Sequence, residues 1–349
     1  MSAAHPKPKL LTTRNDPLHI IKTRKITHGR PVTIAGPMVR YSKLPFRQVC
    51  RHYNADIVYT PMILAREFVR NSHARMADFS TNDSDTPLIV QVGVNNVTDL
   101  LRFVEMVSPY CDGIGINCGC PIKEQVREGI GSALIYNPSL LCEMVSAVKT
   151  KYGNTVRLET KIRIHDDWDQ TVNLCQELCD AGVDWITIHG RTRTTRSSIP
   201  VNLDAISYIR NKLLDRDVPV IANGDCFNMD DFQKILDYTN VDGVMAVRGL
   251  LENPALFAGY ERCPWGALEY FWHYAMEFGG LPFQLLQHHL HCMLESMSLD
   301  KDMHKELMNI KTTAALIDWF DDNFILKRQG EPGFAETLDI PYKRDICKV

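Results

Sequence analysis

Residues 113–121, Gly113-Ile114-Gly115-Ile116-Asn117-Cys118-Gly119-Cys120-Pro121, are a short apolar run that ends in a tight polar corner. The run reads as a strand, and Pro121 stops it because proline has no amide hydrogen for a ladder. Asn117 and Cys120 at its end therefore face a cavity rather than a partner strand. A thiol in that position can serve as nucleophile, metal ligand or proton donor. The remainder of the chain has to decide between them.

Runs of the same kind recur on both sides: Val32–Met38, Ile57–Met62, Leu88–Gly93, Leu158–Ile164, Trp185–Gly190, Val218–Gly224 and Val241–Gly249. Several are rich in Val and Ile and bounded by Gly, Pro or Asn, as buried parallel strands are. Helical spacing fills the intervals, as in Asp99–Val107, Pro138–Lys149, Gln170–Ala181, Leu203–Lys212 and Met229–Leu236. Eight strands each followed by a helix predict an α/β fold, a (β/α)8 TIM barrel with its chemistry on the loops at the strands' C-terminal ends. A doubly wound open sheet is the competitor. Polar or reactive residues close nearly every strand, and that favours the barrel. After Pro254 the pattern turns helical, in Ala267–Phe278, Phe283–Ser296 and Asp302–Phe320. The expected organisation is an N-terminal extension over 1–30, the barrel over 31–262, a C-terminal helical domain over 263–325 and a loosely packed tail over 326–349.

The chain has 349 residues, 45% hydrophobic and 23% charged, ordinary values for a protein with a large core. No apolar stretch approaches the roughly 20 residues that span a bilayer, and the start lacks a signal peptide's apolar run. The 11 cysteines are odd in number and scattered, which fits reduced thiols in the cytoplasm or nucleus. A net charge of −3 argues neither for nor against a nucleic-acid partner. The basic cluster Lys7, Lys9, Arg14, Lys22, Arg24, Lys25 and Arg30 reads as a solvated tail.

The strand ends carry the candidate chemistry. Ala222-Asn223-Gly224-Asp225 and Val247-Arg248-Gly249 close strands seven and eight, where barrels of this type commonly hold a phosphate. Plain glycine turns are the alternative. Lys161 and Arg163 alternate with Ile162 and Ile164, so both cations share one face. A lysine there could form a Schiff base, hold charge beside an electron-rich ring, or simply pair with Glu159 on the same face. His189 could bind an anion or a ring edge, or be a hydrogen-bonded structural histidine; spacing does not separate these. Cys111, Cys118 and Cys120 lack paired zinc spacing, and His288, His289, His291 and Cys292 fall on different helix faces, so no metal is expected. Adjacent Asp166 and Asp167 read as solvated loop carboxylates.

Together these positions resemble the tRNA-dihydrouridine synthase family, flavin enzymes that reduce uridine to 5,6-dihydrouridine. The resemblance runs from Ala35 to about Asn323. It is densest in Ala35–Ser42 (AGPMVRYS), Asn117–Pro121 (NCGCP), Lys161–Asp167 (KIRIHDD), His189–Thr192 (HGRT), Ala222–Asp225 (ANGD) and Arg248–Tyr260 (RGLLENPALFAGY). These strings look most like the eukaryotic branch acting on D-loop uridines 20a and 20b. The resemblance implies FMN as cofactor, with Pro37 and Met38 against its ring and Gln91 on the ring's polar edge. It implies Lys161 as charge near the ring, and His189, Asn223, Gly224, Asp225, Val247, Arg248 and Gly249 around the phosphate. Asn117 and Arg163 would face the uracil, and Arg191 would join the substrate contacts with Arg193 and Arg196. NADPH, or NADH, would be the electron donor, tRNA the partner, and Cys120 the catalytic proton donor to C5. Lys123–Ala133 would form a mobile lid, and the helical domain would grip the tRNA.

Two positions depart from the family's pattern. Gly115 stands where an acidic residue is common, and Arg193–Pro200 (RTTRSSIP) is not the commonest form after HGRT. An FMN barrel acting on a free pyrimidine, a tRNA-binding protein without catalysis, and a Schiff-base aldolase on Lys161 are the competing functions. The arginine-rich loop and helical domain speak against the first. Intact Cys120, Lys161 and His189 speak against the second.

Overall fold

The computed structural model describes residue 12 and residues 15–343. Nine parallel strands make one sheet: β1 Val32–Ala35, β2 Ile57–Tyr59, β3 Ile63–Leu64, β4 Leu88–Gly93, β5 Gly113–Cys118, β6 Leu158–Arg163, β7 Trp185–His189, β8 Val220–Asn223 and β9 Gly243–Ala246. β2 pairs with both β1 and β4, which closes the ring. β2 and β3 are two pieces of one stave. Pro61 interrupts it, the Thr60 hydroxyl accepts the Gln91 amide there, and β3 resumes against β4. The eight-stave TIM barrel expected from the sequence is therefore the fold, with its second stave broken in two.

Parity decides which side chains enter the barrel. Val32, Ile34, Ile57, Tyr59, Ile89, Trp185, Ile221 and Met245 pack together inside it, and Ile21 joins them. Ile21 belongs to the helix Pro17–His28, and its burial stabilises that closure by roughly 2 kcal/mol. The solvated basic tail expected near the start is thus corrected at Arg24 and Arg30, while Lys22 and Lys25 are exposed. Arg24 and Arg30 pair with Asp56, Lys22 pairs with Asp217, and Asp16 caps the helix while pairing with Arg157. Lys7, Lys9 and Arg14 lie outside the described residues.

One device recurs around the N-terminal rim. Asp56, Asp112, Asp184 and Asp242 each stand just before a strand. Each accepts the backbone N–H at or beside the start of a neighbouring one: Thr33 (3.0 Å), Leu88 (2.7 Å), Leu158 (2.7 Å) and Val220 (2.8 Å) respectively. The charges are answered by Arg24 and Arg30 at Asp56, by Lys149 and Arg157 at Asp184, and by Arg210 at Asp242. A carboxylate bonded to the neighbour's amide locks register, and a one-residue slip would turn every inward side chain outward.

Beyond the barrel lie the helices Trp265–Phe278, Phe283–Ser296, Lys301–Asn309 and Thr313–Asn323. The single helix expected over 302–320 is two, because Thr312 leaves helical geometry and caps the second by accepting from Ala315 N. The tail is also corrected up to Lys343. Buried Glu269 accepts the amides of Lys327 (2.9 Å) and Ala335 (2.7 Å), Trp265 and Gly266 donate to Leu338 and Thr337, and Tyr342 bridges Phe324. Residues 344–349 lie outside the described residues. No helix among the described residues is long and apolar enough to cross a membrane.

The rim device gives a direct prediction. Asp184→Ala leaves the buried Leu158 amide and two cations without their acceptor, and should cost about 3 kcal/mol in urea unfolding. Asp184→Asn keeps an acceptor oxygen and should lose distinctly less. Equal losses would show that the amide bond does not matter.

Candidate active site

A cup opens at the C-terminal mouth of the barrel, lined by Pro37, Gln91, Asn117, Cys120, Lys161, Arg163, His189, Arg191, Asn223, Gly224, Asp225, Val247, Arg248 and Gly249 among others. Strand register assembles it. Asn117 lies opposite Lys161 and Lys161 opposite Thr187, while Arg163, His189, Asn223 and Met245 follow one another across β6 to β9.

On one side a chain of amides positions the thiol. Asn117 donates to Gln91 Oε1 (2.8 Å) and accepts from the amides of Gly119 (3.1 Å) and Cys120 (2.9 Å). That leaves Gln91 Nε2 buried and without a partner, a donor kept for something in the cup. Cys120 is 8% exposed. Burial raises its pKa above the ordinary thiol value, against the opposing pull of the Ile122 amide, Arg163 and Lys161, so it stays protonated at neutral pH. The segment expected as a lid folds onto it: Ser132 N bonds Cys120 O (2.9 Å), and Asn95 holds Glu128 O (2.7 Å).

The centre and far side are cationic. Lys161 Nζ donates to Asn223 Oδ1 at 2.7 Å. Burial lowers its pKa, and the charge of Glu159 opposes that shift. Arg163 reaches Gly119 O and Thr192 O, both at 2.8 Å, which ties its strand to the thiol loop. His189 is neutral, its pKa lowered to about 2 by burial and then by Lys161, Arg163, Arg191 and Arg248. Asp225 gathers Arg191, Arg248 (2.6 Å) and the Val201 amide (2.8 Å), so this corner holds two guanidiniums against one carboxylate. Gly224 has φ 135° there, and a Cβ would meet Val201 at 2.5 Å, so only glycine keeps this corner open.

Two expected residues sit differently. The Met38 side chain packs in the hydrophobic core beside the cup, while Val39 lines it. Arg191 is 3% exposed and committed to Asp225, Ile199 O and Ser197 O, which puts it in the anion corner and away from the exposed rim. The sequence reading missed Met245 and Phe227 in the lining; Phe227 lies under the Arg248 guanidinium. Parity on β9 points to Met245, whereas no local pattern marks Phe227. Cys118 is core, and Asp167 caps the helix Trp168–Ala181. Among the described residues no His, Cys, Asp and Glu group is arranged for a metal.

A closed parallel barrel with a cationic, partly unsatisfied cup and a poised thiol at its C-terminal mouth defines a TIM-barrel enzyme site. The sequence profile of the family described as Dihydrouridine synthase (Dus) matches residues 33–341. The chain is 71% identical over 342 residues to a tRNA-dihydrouridine(20a/20b) synthase of Saccharomyces cerevisiae, covering 98% of this chain and 93% of that protein. It is 48% identical to a Schizosaccharomyces pombe protein of the same name, over 94% and 98% of the two chains. A human protein named as like these synthases is 40% identical, over 89% and 95%. The chain belongs to the dihydrouridine synthase family.

Two neutral imidazoles shape its acid stability. Burial lowers His189 to about 2 and His289, wedged between Phe46 and Phe271, to about 3. The unfolded imidazole takes a proton near pH 6.5 and the folded one does not. Stability present above pH 6.5 is therefore lost as pH falls, by up to about 1.4 kcal/mol per pH unit for each group. Urea unfolding between pH 7.5 and 5.5 should show a shallower slope for His189→Gln than for the parent chain. Identical slopes would mean His189 titrates normally.

Proposed function

We propose that the chain reduces the C5–C6 double bond of D-loop uridines, 20a and 20b, in tRNA, with FMN in the cup and NADPH as electron donor. The single observation that carries this reading is the cup itself: Cys120 and the orphaned Gln91 amide line one side of it, Lys161 its centre, and the Arg191–Asp225–Arg248 corner the other side. Family membership and the names of the relatives supply the substrate.

The residues present fit FMN. Gln91 Nε2 offers a donor to the polar edge of a flavin ring, and Pro37 a flat apolar face. Lys161 suits the negative charge that a reduced ring carries. His189, Asn223, Gly224, Val247 and Gly249, with the two arginines held by Asp225, suit a phosphate. FMN, when bound and reduced by NADPH, supplies the hydride for C6 of the uracil.

The chain's own residues do the rest. Asn117 and Arg163 face the base beside Cys120, and the Asn117 carboxamide fixes the Cys120 backbone that presents the thiol. The Cys120 thiol gives its proton to C5; burial, which raises its pKa, keeps that proton available. Because the target base has to leave its stack, the exposed rim matters. Tyr136, with Arg193 stacked 4.9 Å from its ring centre, offers a nucleobase platform there. The scattered, reduced cysteines among the described residues fit action in the cytoplasm or nucleus.

Cys120→Ala should keep its flavin and its NADPH oxidation while losing most dihydrouridine formation, at least about a hundredfold for a lost acid catalyst. Mass spectrometry of the tRNA checks this, and undiminished product would remove Cys120 from the role. Replacing Lys161 by Ala should weaken flavin retention, reduction or both. Normal flavin content and activity would contradict the charge assigned to it.

A further inference from the structure

Below the cup lies a buried carboxylate that the proposed reaction does not use. Glu159 is 0% exposed, and neither side-chain oxygen has a hydrogen-bond partner of good geometry. Thr187, Tyr59 and Trp185 surround it without forming well-made bonds to the carboxylate, and Trp185 Nε1 instead donates to Tyr59 OH at 3.3 Å. A charge in such a place is costly unless another charge answers it.

Room for it comes from the neighbouring strand. Gly115 lies opposite Glu159 in register, and a Cβ on Gly115 would meet Glu159 Oε2 at 2.5 Å. Any larger residue at 115 has to displace the carboxylate. The position where the family's pattern has an acidic side chain thus carries none here, while β6 sends one into the same space.

The group above it is Lys161, two residues along β6 on the same face, about 6.6 Å higher for an extended strand. No contact ion pair forms, since Lys161 Nζ bonds Asn223. The charged and titratable groups around Lys161 are Glu159 and Arg163 on β6, Cys118 and Cys120 from β5 and its loop, and His189 on β7. Arg163 opposes its charge, and Glu159 gives it the largest support.

We propose that Glu159, seated in the space left by Gly115, is the positioning residue whose buried charge keeps Lys161 protonated at the floor of the cup. The consequence for a bound flavin rests on the proposed function; the pairing of the two side chains does not. Burial raises Glu159 and lowers Lys161; Thr187 and then Lys161 oppose the first shift, and Glu159 leads the opposition to the second.

The test uses the full-length chain stripped of any bound flavin, and a small acylating reagent that reacts only with neutral amines. Acylation of Lys161 is followed by mass spectrometry from pH 6 to 9. Glu159→Gln should label Lys161 about three- to tenfold faster at pH 7, as expected when an amine's pKa falls by up to one unit. An unchanged rate overturns the proposal. Two double variants guard against misfolding. Gly115→Asp with Glu159→Ala returns a carboxylate from the other strand and should restore slow labelling. Gly115→Ala with Glu159→Ala fills the space without charge and should label fast. Equal rates in these two would also overturn it. Because no flavin is present, failure here leaves the proposed reaction standing, and failure of that reaction leaves the pair standing.

Discussion

Strand register is the constraint on which the rest of this molecule depends. A side chain enters the barrel or leaves it by parity alone, so each residue of the cup is there because its strand is held to within one residue. The aspartates at the N-terminal rim supply much of that hold, each giving a carboxylate oxygen to a neighbouring strand's amide. With register fixed at one end, Gln91, Asn117, Lys161, Arg163, His189 and Asn223 emerge at the other. The floor and the mouth are parts of a single device.

Charge is the second constraint. The cup concentrates Lys161, Arg163, Arg191 and Arg248, and among its lining only Asp225 is acidic. The barrel tolerates this by keeping His189 neutral, by committing Arg191 to Asp225, and by placing Glu159 one layer below. A cup left with excess positive charge and an unsatisfied amide is suited to an anionic, hydrogen-bonding ring. The same field is not strong enough to strip the thiol of its proton, because burial of Cys120 outweighs its cationic neighbours. Proton donation therefore suits Cys120 better than nucleophilic attack.

Much of this was legible in the sequence because barrel strands are short, apolar and ended by polar residues. Gly113–Pro121 and the ANGD and HGRT strings place themselves once eight such runs are counted. What was not legible depends on partners far along the chain. Pro61 splits a stave because Thr60 can take over the Gln91 amide, which no local pattern reveals. The tail beyond Lys327 looks aperiodic, yet Glu269, some sixty residues earlier, holds two of its amides. Arg24 and Arg30 of the basic N-terminal cluster look solvated until Asp56 is seen waiting for them. Arg191 carries the character of an RNA contact in sequence, and only the fold commits it to Asp225. Gly115 looked like a lost side chain; in three dimensions it is the space for Glu159.

A cup of this charge and lining suits a flavin that carries electrons from a nicotinamide donor to tRNA. The most direct measurement is the visible absorption of the purified full-length chain, followed without oxygen as NADPH and then unmodified tRNA are added. Flavin bands should bleach with NADPH and return when tRNA is added. A colourless protein that takes up no FMN on reconstitution would contradict it, and so would bands that NADPH bleaches but tRNA never restores.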